Sequence, residues 1–94
     1  MKITEVKVRK TFDEGVLKAV VTVVFDDCLA VHDIKVVDTG TKRMVVMPAV
    51  KTAEGRFRDT VHPMNSQFRS ELVEAVFEAV DTAKVIEEVM TSER

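Results

Sequence analysis

Between Gly55 and Ser66 the chain reads Gly-Arg-Phe-Arg-Asp-Thr-Val-His-Pro-Met-Asn-Ser, a run that holds two arginines, a carboxylate, an imidazole and a proline. Two chemistries are open to such a set. Asp59 and His62 could meet within a turn and resemble two members of a catalytic triad, with the imidazole as general base. No Ser or Cys stands ready as the nucleophile, and Asn65 or Ser66 is better employed as a helix cap. Turn stabilisation is therefore the expected role of Asp59, His62 and Pro63. The second chemistry is anion binding. Arg56 and Arg58 are two apart, so in an extended segment they project from one face, where they can grip adjacent phosphates or one base edge. Lys51 lies just upstream, and Lys42 and Arg43 stand at the preceding hairpin. Phe57 is expected to point the other way, into the core, and to anchor the loop. Lys and Arg are common on solvated surface loops, so the pattern permits binding without establishing it.

The rest of the chain offers little competing chemistry. It has no GxxxxGK[ST], GxGxxG or HExxH string, so phosphate-loop, dinucleotide and zincin chemistries lack their motifs. His32 precedes Asp33 on a strand, where consecutive side chains point to opposite faces and form no local dyad. A structural histidine is expected there. Cys28 is the only cysteine, which excludes an intrachain disulfide and a cysteine-based zinc site. Within its apolar run it reads as a small core hydrophobe. No catalytic residue, metal, cofactor or small-molecule substrate is assigned, and the chain is read as a non-enzyme.

The elements that must position the basic run are legible from periodicity. Ile3 to Lys10 reads as a strand, with Val6 and Val8 alternating against Lys7 and Arg9. After a turn at Asp13-Glu14-Gly15 comes the most strand-like run, Val16 to Phe25. Leu17, Ala19, Val21, Val23 and Phe25 share one face of it; Lys18, Val20, Thr22 and Val24 share the other. That second face is too apolar for open solvent and is expected to meet a helix, another subunit, or both. Asp26-Asp27 closes the strand, and Leu29 to Asp38 forms the next, with His32, Ile34 and Val36 on one side. Thr39-Gly40-Thr41 turns into Arg43 to Met47, and Pro48, which has no N–H to donate, ends it. Connections this short imply antiparallel neighbours. Ala49 to Arg58 reads as a loop turning at Ala53-Glu54-Gly55, with Phe57 to Val61 as a short fifth strand.

Asn65 or Ser66 then caps a helix. Phe68, Leu72, Ala75, Val76, Ala79 and Ala83 fall on one helical face, while Glu71, Glu74, Glu78 and Asp81 fall on the other. Val73, Phe77 and Val80 widen the apolar stripe. The helix is expected to reach about Met90, with a break near Thr82 giving two helices as the variant, and the last four residues are expected to fray. The class is α+β, one domain over residues 1–94: an antiparallel four- to five-stranded sheet over about 2–62, then a helical part over about 66–90.

Composition sets bounds on partners. At 46% hydrophobic and 32% charged residues the chain is globular rather than disordered. A domain of 94 residues buries only about 60–65% of its unfolded surface, so spare apolar faces and a homodimer are expected. No apolar run approaches the roughly 20 residues of a bilayer span, and Met1 to Glu5 lacks the apolar region of a signal peptide. A cytoplasmic protein without a membrane partner is expected. The net charge of −2 hides an asymmetry: 12 Lys and Arg against 9 Asp and Glu up to Ser70, then 2 against 7 from Glu71 onward. A mildly basic sheet followed by an acidic helix is compatible with nucleic acid on one face.

Four strings carry a family resemblance. Met1-Lys2-Ile3-Thr4-Glu5-Val6-Lys7-Val8-Arg9-Lys10, Val31 to Asp38 with Val46-Met47-Pro48, and above all Lys51 to Ser66 resemble the SpoVG family (stage V sporulation protein G, septation regulators of bacteria). The match runs without obvious gaps from Met1 to about Val80. It implies a homodimeric α+β fold and a nucleic-acid-binding regulator, tied to septation, sporulation and expression of surface or virulence genes, with no catalysis and no cofactor. DNA is the implied partner and RNA a second one, with nucleoid association as a cytoplasmic location. The family's DNA contacts lie on a basic loop ahead of the Gly-x-Phe-Arg-Asp string. Carried over, that gives Lys51, Thr52, Arg56 and Arg58, with Arg69 of the helix's first turn as a further phosphate contact. The sequence departs from the family at Val50, where a basic residue is expected, at Arg56, which restores the charge, and at Ala53 in place of a common Pro. These departures bear on affinity rather than on fold.

Overall fold

A computed structural model describes residues 1–92, with side chains described through Lys84. Strands β1 (Ile3–Thr11), β2 (Leu17–Phe25), β3 (Leu29–Asp38) and β4 (Arg43–Val46) form an antiparallel meander in the order β1-β2-β3-β4. A separate two-stranded ribbon, β5 (Ala49–Lys51) and β6 (Phe57–Asp59), follows, and the single helix α1 (Ser66–Ser92) closes the chain. The α+β class and the four-stranded sheet agree with the sequence. The fifth strand does not join that sheet; it pairs instead with residues expected to be loop. The helix is one unbroken element through Thr82, so the two-helix variant does not occur. Fraying of the last four residues concerns a stretch whose final two positions lie outside the described residues.

The β2–β3 connection shows why so short a turn works. Phe25 accepts from the Cys28 N–H at 2.9 Å, and Asp26 and Asp27 both take positive φ, 52° and 53°. Two consecutive left-handed residues match the twist of a tight hairpin, and Asp tolerates that conformation better than most side chains. Cys28 is consequently exposed in the turn, its Sγ donating to the Asp26 carbonyl at 2.9 Å. The expected core cysteine is thus a turn residue.

The core lies between one sheet face and α1. Ala19, Val21, Val23, Ile34, Val36, Val76 and Val80 have no exposed surface, and Leu72 is 1% exposed. Each fully buried Val, Leu or Ile contributes roughly 1.5–3 kcal/mol, which makes this aliphatic slab the main source of stability. Phe68 tilts against Phe25 with centroids 5.8 Å apart. The helix stripe matches its spacing, with Leu72, Val76 and Val80 deepest and the glutamates outside.

On β3 the alternation breaks. Val21 opposes Ile34 while Val23 opposes Val31, leaving one extra residue on β3. That residue includes Asp33, at φ 63°, the signature of a bulge. The buried set is therefore Val31, Ile34 and Val36, not His32, Ile34 and Val36. His32 lies on the reverse face, exposed, where its Nδ1 shares a hydrogen bond of 3.0 Å with the hydroxyl of buried Thr22. A second irregularity, between Leu17 and Ala19, pairs Leu17 with Val37 and removes it from the core face. On that reverse face Val20, Val37, Met44 and Val46 are half-buried. The only helix among the described residues packs on the other side, so the helical cover expected for this face is absent there.

Arg43 ties β4 to the helix. Its guanidinium meets Asp81 through two bonds, 2.9 and 3.3 Å, and lies 4.1 Å from the ring centroid of Phe77. This is the sole ion pair among the described residues. Arg43 is thus spent on the fold and leaves the hairpin's basic set.

Candidate nucleic-acid interface

The ribbon that carries the basic residues is built by local chemistry. Thr52 N–H donates to the Arg56 carbonyl at 2.7 Å, and the Gly55 N–H returns to Thr52 O at 3.0 Å. Gly55 sits at φ 83°, so Ala53-Glu54-Gly55 makes the three-residue loop whose last position is left-handed. The Thr52 hydroxyl also accepts from the Arg56 N–H at 3.3 Å, holding the loop from inside. At the base, the Thr60 N–H and hydroxyl both donate to Pro48 O, at 2.9 and 3.1 Å.

Register divides the candidate residues between two faces. Val50 opposes Arg58, Lys51 opposes Phe57, and Ala49 opposes Asp59. Paired residues share a face and successive ones alternate. Thr52, Arg56 and Arg58 therefore stand together with Val50, whereas Lys51 is on the reverse side with Phe57 and Asp59. The two arginines do project from one face, as their spacing implies. Every residue of β5 and β6 is exposed, and among the described residues no carboxylate pairs with Lys51, Arg56 or Arg58.

Phe57 departs most from expectation. It points away from the arginines, but it is 77% exposed rather than anchored in the core. Among the described residues the ribbon's strands pack substantially only on each other, so Phe57 has no core layer beneath it. Arg69 is drawn inward to the elbow before the helix, where its Nη2 donates to Pro63 O at 3.3 Å. Asn65 is the cap: its Oδ1 accepts from the Phe68 N–H at 2.7 Å, which settles the choice between Asn65 and Ser66. His62 Nδ1 lies 3.1 Å from the Pro63 carbonyl, an acceptor, so the ring donates there. No hydrogen bond joins Asp59 to His62.

Sequence reasoning missed a cleft beside the ribbon. A cavity of about 370 Å³ opens between the N-terminal turn of α1 and the end of the sheet, walled by Phe25, Leu29, Val31, Met47, Phe68 and Leu72. Met1, Leu29, Val61 and Met64, four of the large exposed apolar side chains, all line it. Met64, at 91% exposure, was the available signal: an apolar residue between a proline and a helix cap has no strand or helix face to hide on. No group of three or more His, Cys, Asp or Glu gathers among the described residues, and no helix there is long and apolar enough to cross a membrane.

Comparison with known proteins returns one consistent family. The SpoVG family model matches residues 1–82, which takes in the sheet, the ribbon and the helix through Thr82. A relative from Caldanaerobacter subterraneus subsp. tengcongensis is 50% identical over 84 residues, 89% of this chain and 92% of its own. Another from Clostridioides difficile is 45% identical over 89 residues, covering 95% and 97%, and one from Alkaliphilus oremlandii is 40% identical over 93 residues, covering 99% and 100%. Each bears the name "Putative septation protein SpoVG".

Proposed function

Since the chain belongs to the SpoVG family, we propose that it is a cytoplasmic, non-enzymatic septation regulator that acts as a homodimer on nucleic acid. DNA is the first ligand and RNA the second. The contact surface is the ribbon face of Thr52, Arg56 and Arg58, with Lys51 reaching from the reverse side and Arg69 at the ribbon's base. One observation carries this reading: two arginines share an exposed face and have no carboxylate to neutralise them among the described residues. A bare cation pair on a narrow β-ribbon suits a phosphate backbone, where each neutralised phosphate releases counterions. Two such ribbons in a dimer would present four arginines.

Fluorescence anisotropy with labelled duplex DNA and single-stranded RNA over a salt series tests it. Affinity should fall by about 0.9 log unit per log unit of salt for each phosphate contacted, so four contacts give a slope of about −3 to −4. The Lys51→Ala/Arg56→Ala/Arg58→Ala variant should lose that slope while circular dichroism shows an intact fold. A flat salt response in wild type sinks the proposal. A second reading, a protein-interaction adaptor in septation, is favoured by the helix face of Glu71, Glu74 and Glu78, exposed and without ion partners among the described residues. It predicts capture of a basic protein partner with nucleic-acid affinity too weak to measure at low salt.

A further inference from the structure

The sheet face turned away from α1 collects cations because its strands are irregular. In β1 the pair Val8 and Val21 is followed by Lys10 and Val20, so Arg9 is an extra residue. Val8 packs on the core, alternation sends Arg9 to the reverse face, and the shifted register puts Lys10 there beside Val20. Lys7 reaches the same face opposite Thr22, and Lys35 reaches it between Val20 and Val46. The bulge at Asp33 brings His32 to it as well. There the imidazole is held by the hydroxyl of Thr22, which is 3% exposed and the only buried polar side chain among the described residues.

Two rows thus cross the face: Lys7, Thr22 and His32, then Lys10, Val20, Lys35 and Val46. Lys7, Arg9 and Lys35 are exposed and have no hydrogen bond or ion pair among the described residues. Lys10 has only the ring of Phe12, 5.1 Å from its ammonium. Charges on an end strand such as β1 guard the sheet edge, but that does not account for Lys35 on the inner strand β3. We infer that this face binds a compact polyphosphate anion, a free di- or triphosphate group. The anion is seated over Val20 and Thr22, between Lys7, Arg9 and Lys10 on one strand and His32 and Lys35 on another.

Dimensions and boundaries choose that occupant. Strands about 4.8 Å apart and residues about 3.4 Å apart along them set the cations around a patch of about 10 by 7 Å. Lysine ammoniums are point charges for phosphate oxygens and Arg9 adds a planar fork, so several can converge on linked phosphates. A nucleic-acid strand needs a cationic track instead. Here the track is closed at both ends. Beyond Lys7 comes Glu5, opposite Val24, and Asp33 stands beside His32. Beyond Lys10 and Lys35 come Leu17, Val37 and Met44. A strand running along β1 and β3 would carry its next phosphates over a carboxylate or over apolar side chains. No residue of the patch belongs to the ribbon, so the inference stands apart from the nucleic-acid reading above.

A titration of isotope-labelled full chain with inorganic tripolyphosphate, followed by backbone amide shifts at about 0.1 M salt, tests it. Shifts should cluster on residues 7–10, 20–22 and 32–35 and saturate at one anion per chain. Lys10→Ala/Lys35→Ala, both at exposed positions, should weaken binding at least about tenfold with circular dichroism unchanged. Asp33→Asn keeps a residue that tolerates the left-handed backbone and should tighten it about twofold. Arg56→Ala/Arg58→Ala should bind tripolyphosphate as wild type does, which separates this site from the ribbon. No shift at millimolar anion overturns the proposal, as do shifts confined to the ribbon or a Lys10→Ala/Lys35→Ala variant that binds like wild type. It also fails if that variant loses a labelled single-stranded oligonucleotide while wild type ignores tripolyphosphate, because the face is then a nucleic-acid surface.

Discussion

Ile34 and Phe57 both sit on strands of one small chain, yet Ile34 has no exposed surface and Phe57 keeps 77% of its own. Around Ile34, two neighbouring strands and a helix close a slab of valines. Around Phe57 there is one partner strand and solvent. The sheet and helix bury the apolar core between them, whereas the ribbon uses its hydrogen bonds to hold its shape and leaves its side chains exposed. The buried apolar core and the exposed ribbon are thus separate parts, joined by the elbow from Thr60 to Asn65.

The separation can be broken at three points. Ile34→Ala removes three buried carbons from the slab and should cost about 2–5 kcal/mol in urea unfolding. At a temperature where the variant is still folded, its nucleic-acid affinity should match wild type; a matching loss would mean the ribbon depends on the core. Asn65→Ala strips the cap at the elbow and should cost about 1 kcal/mol. Because the same elbow orients Arg69 and the cleft wall, affinity should fall two- to threefold as well. Gly55→Ala acts on the ribbon alone. Its added Cβ would meet nothing within 4 Å, so the strain comes from the φ of 83°, about 1–2 kcal/mol of local order. At submicromolar protein, global stability should shift by less than about 0.5 kcal/mol while affinity drops several-fold. A larger loss of stability would show ribbon and core to be one cooperative unit.

Most of the fold was legible because period and punctuation agree along it. The meander followed from valine alternation and the turns at Gly15, Asp26-Asp27 and Gly40, and the helix from the spacing of Phe68, Leu72 and Val76. Exceptions have local causes. An alternation count cannot see the extra residue at Asp33, so it swapped Val31 for His32. Arg43 looked like part of a basic surface because nothing along the sequence reveals that Asp81 and Phe77 wait across the sheet edge. The candidate site was half legible. The two-residue spacing of Arg56 and Arg58 survives in the ribbon, but an apolar ring was assumed to seek the core, and a ribbon this short gives Phe57 no core to reach. The cleft was invisible because it is assembled from the chain start, three strand ends and the helix entrance.

The bulge at Asp33 leaves a mark on how this chain can change. On one side of it β3 sends odd-numbered residues to the core, through Val31; on the other it sends even-numbered ones, through Ile34 and Val36. Position 33 is the residue that the alternation skips. Asn or Gly would hold the same left-handed conformation at little cost. With Asp33 flattened into the pleat and Ile34 kept inward, His32 would turn inward and Val31 outward; a chain shortened by one residue there would instead alternate plainly, with Val31 and Ile34 both inward. In this strand the bulge, more than any one side chain, decides which face each residue takes.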